Sequence, residues 1–303
     1  MLRITKSTDP IEVKTITCCI YAVPGVGKST LGFTANKPLL LDFDHGSYRA
    51  GNRGDTVQIN AWADVTSIAA DDLKAYGTLI IDTAGRALDF LTVDIIERNP
   101  KMGRGGALTL QGYGELKSQF IAWTKLVRGM GLDVLLIAHS DEQRKGEDII
   151  ERLDVQGSSK NEIYKSADSM GRIYLAGNKR MLNFSPTDIA FGKNPANLPP
   201  LEIPHYAQEP SFLGTVLDRI KAELNKQSAV QKQAGDALTT WKAKIDKLTT
   251  ADDFNKMLAG DDKPGDLVKS DVKRMMGTAA RKKGITFDTK AGAFVAIERG
   301  KAA

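Results

Sequence analysis

Between Ala22 and Thr30 the chain reads Ala-Val-Pro-Gly-Val-Gly-Lys-Ser-Thr, which sets a cation and two hydroxyls directly behind a pair of spaced glycines. Those residue types suit a polyphosphate. Gly25 and Gly27 allow a backbone turn that closes on an anion with no Cβ in the way. Lys28 supplies a point charge for β- and γ-phosphates, and the Ser29 hydroxyl is a ligand for Mg²⁺. The spacing predicts that Pro24, Gly25, Val26, Gly27, Lys28, Ser29 and Thr30 hold a nucleotide's polyphosphate with its metal. Ala22 stands where such loops usually begin with Gly, a small-for-small exchange.

Two carboxylate sites complete the set. Leu79-Ile-Ile-Asp82 is an apolar run that ends in a charge. A Mg²⁺ ion gives that charge a purpose, and a cap on the next turn is the alternative. Leu39-Leu-Leu-Asp-Phe-Asp-His-Gly46 puts Asp42 and Asp44 two residues apart, on one face if the strand persists. Hydrolysis needs a carboxylate that orients and polarises water, and one of this pair is a candidate.

These residues need a scaffold that gathers strand ends at one edge. Residues 1–220 alternate strand and helix signals, the pattern of a mainly parallel sheet covered on both faces. Strands are expected at 15–21, 38–43, 78–81 and 132–138, with a hairpin over 172–184 turning at Gly177-Asn-Lys-Arg180. Leu116, Phe120, Trp123 and Val127 share a helix face. The proline-rich segment 191–210 is expected to run extended over the core. Beyond Leu213 the pattern turns helical. Residues 225–235 read as a linker or solvated helix end, and 236–303 as a small helical module. Thr250 and Ser270 are the expected N-caps there, and Gly284 the expected C-terminal stop.

Composition narrows the setting. The 303 residues are 42% hydrophobic and 26% charged, ordinary for a globular protein, and no apolar run suffices for a membrane span. Cys18 and Cys19, the sole cysteines, are adjacent and so point to opposite faces of a strand. They read as small core residues of a protein in a reducing cytoplasm. Residues 221–303 hold 17 Lys and Arg against 11 Asp and Glu, so this part carries +6 and residues 1–220 carry −1. A basic end of this kind is either a polyanion contact or a solvated lysine-rich surface.

The three motifs resemble the RecA-like P-loop ATPase core. In that family the strand after the phosphate-loop helix ends in Asp-x-Glu-His, whose Glu is the catalytic base. This chain has Asp42-Phe-Asp44-His45, so the resemblance gives the role to Asp44, one methylene shorter. It makes Asp82 the metal-shell carboxylate. It also places His139, at the end of Leu135-Leu-Ile-Ala-His139, where a γ-phosphate sensor sits; a satisfied strand-end histidine is the alternative. Within the superfamily the chain is similar to phage-encoded ATPases of the Sak-type single-strand annealing group. That similarity rests on the phosphate loop, Leu41-Asp-Phe-Asp-His-Gly46, residues 157–168 and Phe191-Gly-Lys-Asn-Pro195, and covers roughly residues 12–205.

Pattern and resemblance together give a RecA-like ATPase core over 1–224, a linker at 225–235 and a basic helical module over 236–303, the last two read from composition and helical spacing. The resemblance implies an ATP- and Mg²⁺-dependent protein of phage-type DNA recombination or replication, in a bacterial host's cytoplasm. Such a protein grips single-stranded DNA under ATP control and assembles with ATP at its subunit interfaces. DNA would meet two loops: 99–106, with Lys101 and Arg104, and 140–157, with Arg144, Lys145 and Arg152. A further contact is the cluster that includes Arg281, Lys282 and Lys283. Neither loop has aromatics for base stacking, and the second is net acidic. Lys193 is a candidate for a neighbouring subunit's γ-phosphate. The alternative function is an ATPase switch or loader acting on a protein partner, engaged by the C-terminal module. A small-molecule phosphotransferase ranks below both, because no compact Arg-rich lid is present.

Overall fold

The apolar runs before residue 210 pair into one sheet, and their alternating side chains build a core on each face. The computed structural model describes residues 12–145, 148–155 and 159–297. In chain order come β1 (Thr17–Ala22), α1 (Lys28–Gly32), β2 (Pro38–Asp42), β3 (Thr56–Gln58) and α2 (Trp62–Ser67). Then follow β4 (Thr78–Asp82), α3 (Ala84–Arg98), β5 (Gly103–Arg104), β6 (Ala107–Leu108) and α4 (Leu110–Gly129). The sheet is completed by β7 (Asp133–Lys145), β8 (Asp148–Leu153), β9 (Ser169–Ala176), β10 (Lys179–Asn183) and β11 (Leu201–Glu202), with α5 (Ser159–Ser166) before β9. Last come α6 (Phe212–Asp246), α7 (Ala251–Ala259), α8 (Lys269–Lys282), β12 (Ile285–Asp288) and β13 (Ala293–Ala296).

The strand order is β11-β10-β9-β1-β7-β4-β2-β3, with β8 paired to β7. From β9 through β3 all neighbours are parallel, whereas β10 and β11 add on antiparallel. This is an α/β fold with a mainly parallel central sheet. Parallel pairing matters to function because it brings the carboxyl ends of β1, β2, β4 and β7 to one edge. Cys19, Leu41, Ile81 and Leu136 face a core shared with Leu91 and Ile95 of α3 and Phe120 of α4. Cys18, Leu40, Ile80 and Leu135 face the other, with Leu31 of α1 and Leu213 and Leu217 of α6. Each cysteine is thus buried on its own face, and burial pushes the Cys18 thiol up to about 12.

Contacts divide the chain into a unit spanning Val13–Leu224 and a second unit from Asn225 onward. The second has its own core of Trp241, Ile245, Phe254, Val272, Met276, Ile285 and Phe294. Thr250 caps α7 in a reciprocal capping box with Asp253. Gly284 follows α8 at φ +72°, a conformation that favours glycine.

Several expectations need correction. Residues 225–235 lie inside α6 rather than in a linker. Gln, Lys and Ala are good helix formers, and their polarity marks solvent exposure instead of a break. The C-terminal unit is not all helical, since β12 and β13 pair antiparallel. α8 starts at Lys269 with Val268 at the cap position, not Ser270. The expected loop 99–106 holds a 3₁₀ turn, Pro100–Met102, and the small β5–β6 hairpin reaching to Leu108. The expected loop 140–157 is largely a β7–β8 hairpin. Within the proline-rich 191–210 segment, β11 pairs at the sheet edge, where prolines do least harm. Among the described residues no helix is long and apolar enough to cross a membrane.

Candidate active site

Register explains why four distant residues meet. Ala22 at the end of β1 lies opposite His139 of β7, and Asp42 of β2 lies opposite Asp82 of β4. The loop between Ala22 and Lys28 turns through Gly25 at φ +83° and Gly27 at φ +85°. Only glycine adopts such angles freely. Lys28 is folded back beneath this loop. Its Nζ donates to the carbonyls of Ala22 and Val23, both at 3.0 Å, and lies 3.1 Å from His139 Nδ1.

An ammonium group has donors only, so His139 Nδ1 accepts, and a neutral ring carries its proton on Nε2. That nitrogen faces Asp44 Oδ2 at 3.6 Å, and Asp44 Oδ1 lies 3.5 Å from Arg86 Nε. The result is a continuous run of polar groups, Lys28–His139–Asp44–Arg86. Burial pushes Lys28 down to about 8, while Asp82 and Asp44 pull it the other way.

Ser29 Oγ donates to Asp82 Oδ2 at 2.6 Å. Burial raises the Asp82 carboxyl above the usual range; the Ser29 hydrogen bond opposes this, Asp44 and Asp42 reinforce it, and Lys28 opposes it. A buried carboxylate beside two others calls for a cation. Among the described residues no three His, Cys, Asp or Glu side chains converge to hold a metal by themselves. The donor set fits Mg²⁺ held by Ser29, Asp82 and the phosphate oxygens of a nucleotide, the usual way this ion is bound. Asp82 is not the cap of the next helix; Thr83 accepts from Arg86 N there.

Asp42 and Asp44 part company. β2 ends at Asp42, so the two side chains do not share a strand face. Both Asp42 oxygens accept backbone amides, from Gly46 at 3.0 Å and Ser47 at 2.9 Å, which leaves it as a buried brace for the turn. Asp44 has Oδ1 buried with no hydrogen bond at all, only the longer Arg86 contact. Of the pair, Asp44 is the one that keeps a carboxylate oxygen without a hydrogen bond.

A cleft of about 420 Å³ is lined by Pro24, Gly25, Gly27, Lys28, Ser29, Thr30, Asp42, Asp44, Asp82 and His139. A neighbouring one of about 660 Å³ shares Asp44, Arg49 and His139 and adds Arg86, Asp89 and Asp154. Three arginines escaped the sequence reading. Arg49 follows Asp42–Gly46 closely and Arg86 follows Asp82, so proximity to those motifs was an available signal. Arg180 of β10 reaches the Val26 carbonyl at 3.4 Å, and only sheet pairing brings it there.

The residues read as DNA contacts belong to separate elements. Lys101 lies in the 3₁₀ turn and Arg104 on β5. Arg144 and Lys145 are at the end of β7, and their side chains lie outside the described ones, as do residues 156–158. Arg281 and Lys282 end α8, and Lys283 follows it. Lys193 is engaged within its own chain, donating to the Ala167 carbonyl at 2.7 Å and that of Lys165 at 3.5 Å. Arg152 stacks over Phe191, with 4.2 Å to the ring centre.

Comparison with known proteins adds a family match. The family model of an AAA domain matches residues 14–196. Among solved structures, a KaiC-like protein, PH0186, from Pyrococcus horikoshii OT3 is similar at 12% identity and TM-score 0.32, over 55% of this chain and 76% of that one. An ATPase from the type III secretion system of pathogenic bacteria is similar at 12% identity and TM-score 0.35, over 52% of this chain and 51% of that one. No curated protein matches.

Proposed function

The chain belongs to the AAA domain family and is a P-loop ATPase, and on that premise we propose a Mg²⁺-dependent ATP switch that controls its grip on single-stranded DNA. The observation that carries the reading is the run from Lys28 through His139 to Asp44. When ATP enters, Lys28 exchanges the carbonyls of Ala22 and Val23 for the β- and γ-phosphates, which also restores its full charge. Ser29 and Asp82 would hold Mg²⁺, which would supply charge neutralisation at the phosphates. Asp44 orients the attacking water and takes its proton. His139, released from Lys28, presents a ring N–H to the γ-phosphate region and couples that event to β7.

β7 runs unbroken from His139 to Lys145, so a change at the phosphate has a rigid route into the β7–β8 hairpin. The motif resemblance to phage-encoded annealing ATPases supports DNA as the target, in recombination or replication. Lys101 and Arg104, both in the short segment before α4, are the cations best suited to the strand's phosphates.

The test is steady-state ATP turnover with and without a single-stranded oligonucleotide, at low and moderate salt. Stimulation that fades with salt is the expected result. A rate indifferent to DNA, in protein that binds ATP, overturns the DNA part and favours a switch acting on a protein partner.

A further inference from the structure

The unit from Asn225 onward carries a cleft of its own, about 460 Å³ in volume, between the last turns of α6 and the length of α8. Ile245, Met275 and Ala279 form an apolar floor. Ile245 is buried beneath the cleft, whereas Met275 and Ala279 are half-buried and remain within reach of a ligand. A methionine floor adapts to differing side chains.

The rim is cationic. Lys242, Arg274, Lys282 and Lys283 surround the cleft, and among the described residues Asp246 is the one acid in its lining. Arg274 is answered by Asp271 at 2.7 Å. Lys283 donates to the Leu248 carbonyl, a neutral partner that leaves its charge uncompensated. Among the described residues neither Lys242 nor Lys282 has an ion-pair partner. Unbalanced positive charge around an apolar floor focuses the field on anything seated there.

We propose that this cleft binds an acidic peptide segment of a partner protein, with an apolar side chain on the floor and carboxylates on Lys242, Lys282 and Lys283. The volume suits a few side chains. Charge complementarity requires an anionic occupant, and the floor requires an apolar one. A nucleic acid strand meets only the first demand, because no aromatic side chain lines the cleft for its bases to stack on. Lys282 and Lys283, basic residues that the sequence alone suggests for DNA, are placed by the fold at a site better shaped for protein.

The experiment uses the full chain and fluorescence anisotropy with three labelled probes. These are a twelve-residue peptide alternating Glu with Leu, the same peptide with Ser for Leu, and a twelve-nucleotide oligo-dT. The Glu/Leu peptide is expected to bind, and the Glu/Ser peptide to bind at least tenfold more weakly. A Lys242→Glu/Lys282→Glu double variant, shown by circular dichroism to be folded, is expected to lose at least tenfold in affinity for the Glu/Leu peptide. The milder Lys242→Gln/Lys282→Gln variant is expected to lose part of it. No binding of the Glu/Leu peptide, equal binding of the Ser peptide, or affinity untouched by charge reversal overturns the proposal. So does oligo-dT that displaces the peptide and is itself lost in the double variant, since that outcome makes the cleft a nucleic-acid site.

Discussion

Raising the pH from 7 to 9 is expected to weaken ATP binding through one residue, Lys28. In the free protein burial lowers its ammonium to about 8, with Asp82 and Asp44 opposing the shift. Bound phosphates favour the charged form, so binding takes up a proton wherever Lys28 is neutral beforehand. The apparent dissociation constant then grows as one plus ten to the power of the pH minus the free-protein value. With that value near 8 the factor is about 1.1 at pH 7 and about 11 at pH 9, a loss of roughly tenfold. Calorimetry in buffers of different ionisation enthalpy checks it directly, with about 0.1 proton taken up per ATP at pH 7 and about 0.9 at pH 9. Stability of the nucleotide-free protein has the opposite sign. A lysine whose folded value lies below its unfolded one binds fewer protons when folded, so this group makes the fold more stable as pH rises from about 8 to 10.5. Affinity that stays flat to pH 9, with no proton uptake, refutes the assignment of Lys28 as the buried phosphate cation.

Asp44→Asn is expected to retain ATP affinity and to lose on the order of 10²-fold or more in phosphate release, the usual yield of a general base; loss of binding instead contradicts its role. Gly27→Ala forces an L-residue to φ +85° and puts its Cβ 2.5 Å from Arg180 Nη1. Backbone strain of about 1–3 kcal/mol should appear as weaker nucleotide binding in titrations, with little change in circular dichroism. Phe254→Ala removes a fully buried ring that packs on Phe294 at 5.2 Å, and should cost about 3–5 kcal/mol in denaturant unfolding of the C-terminal unit. Thr250→Ala, which deletes the α7 cap, should cost about 1 kcal/mol by the same measurement.

How far the sequence reaches is clearest in the strands. Apolar runs bounded by turn residues announce β1, β2, β4 and most of β7, because a strand buried on both faces has little other way to be written. The phosphate loop is equally legible, since its glycines and lysine are local requirements of backbone angle and charge. The β12–β13 hairpin, the length of α6 and the end of β7 were not legible. Short strands and polar helix faces have weak periodicity, and their formation depends on what packs against them.

The same division holds at the site. Local sequence pointed to Lys28, Ser29, Asp82 and an acid of the Asp42-Phe-Asp44 pair as the groups to meet phosphate and metal. It could not choose between Asp42 and Asp44, because the choice rests on the Gly46 and Ser47 amides that consume Asp42. Nor could it bring Arg86 to Asp44 or Arg180 to the loop. Those meetings follow from parallel register and β10 pairing, which join residues up to 154 positions apart. Chemistry that is written in neighbouring residues can be read along the chain, whereas chemistry made between strands exists only once the sheet has formed.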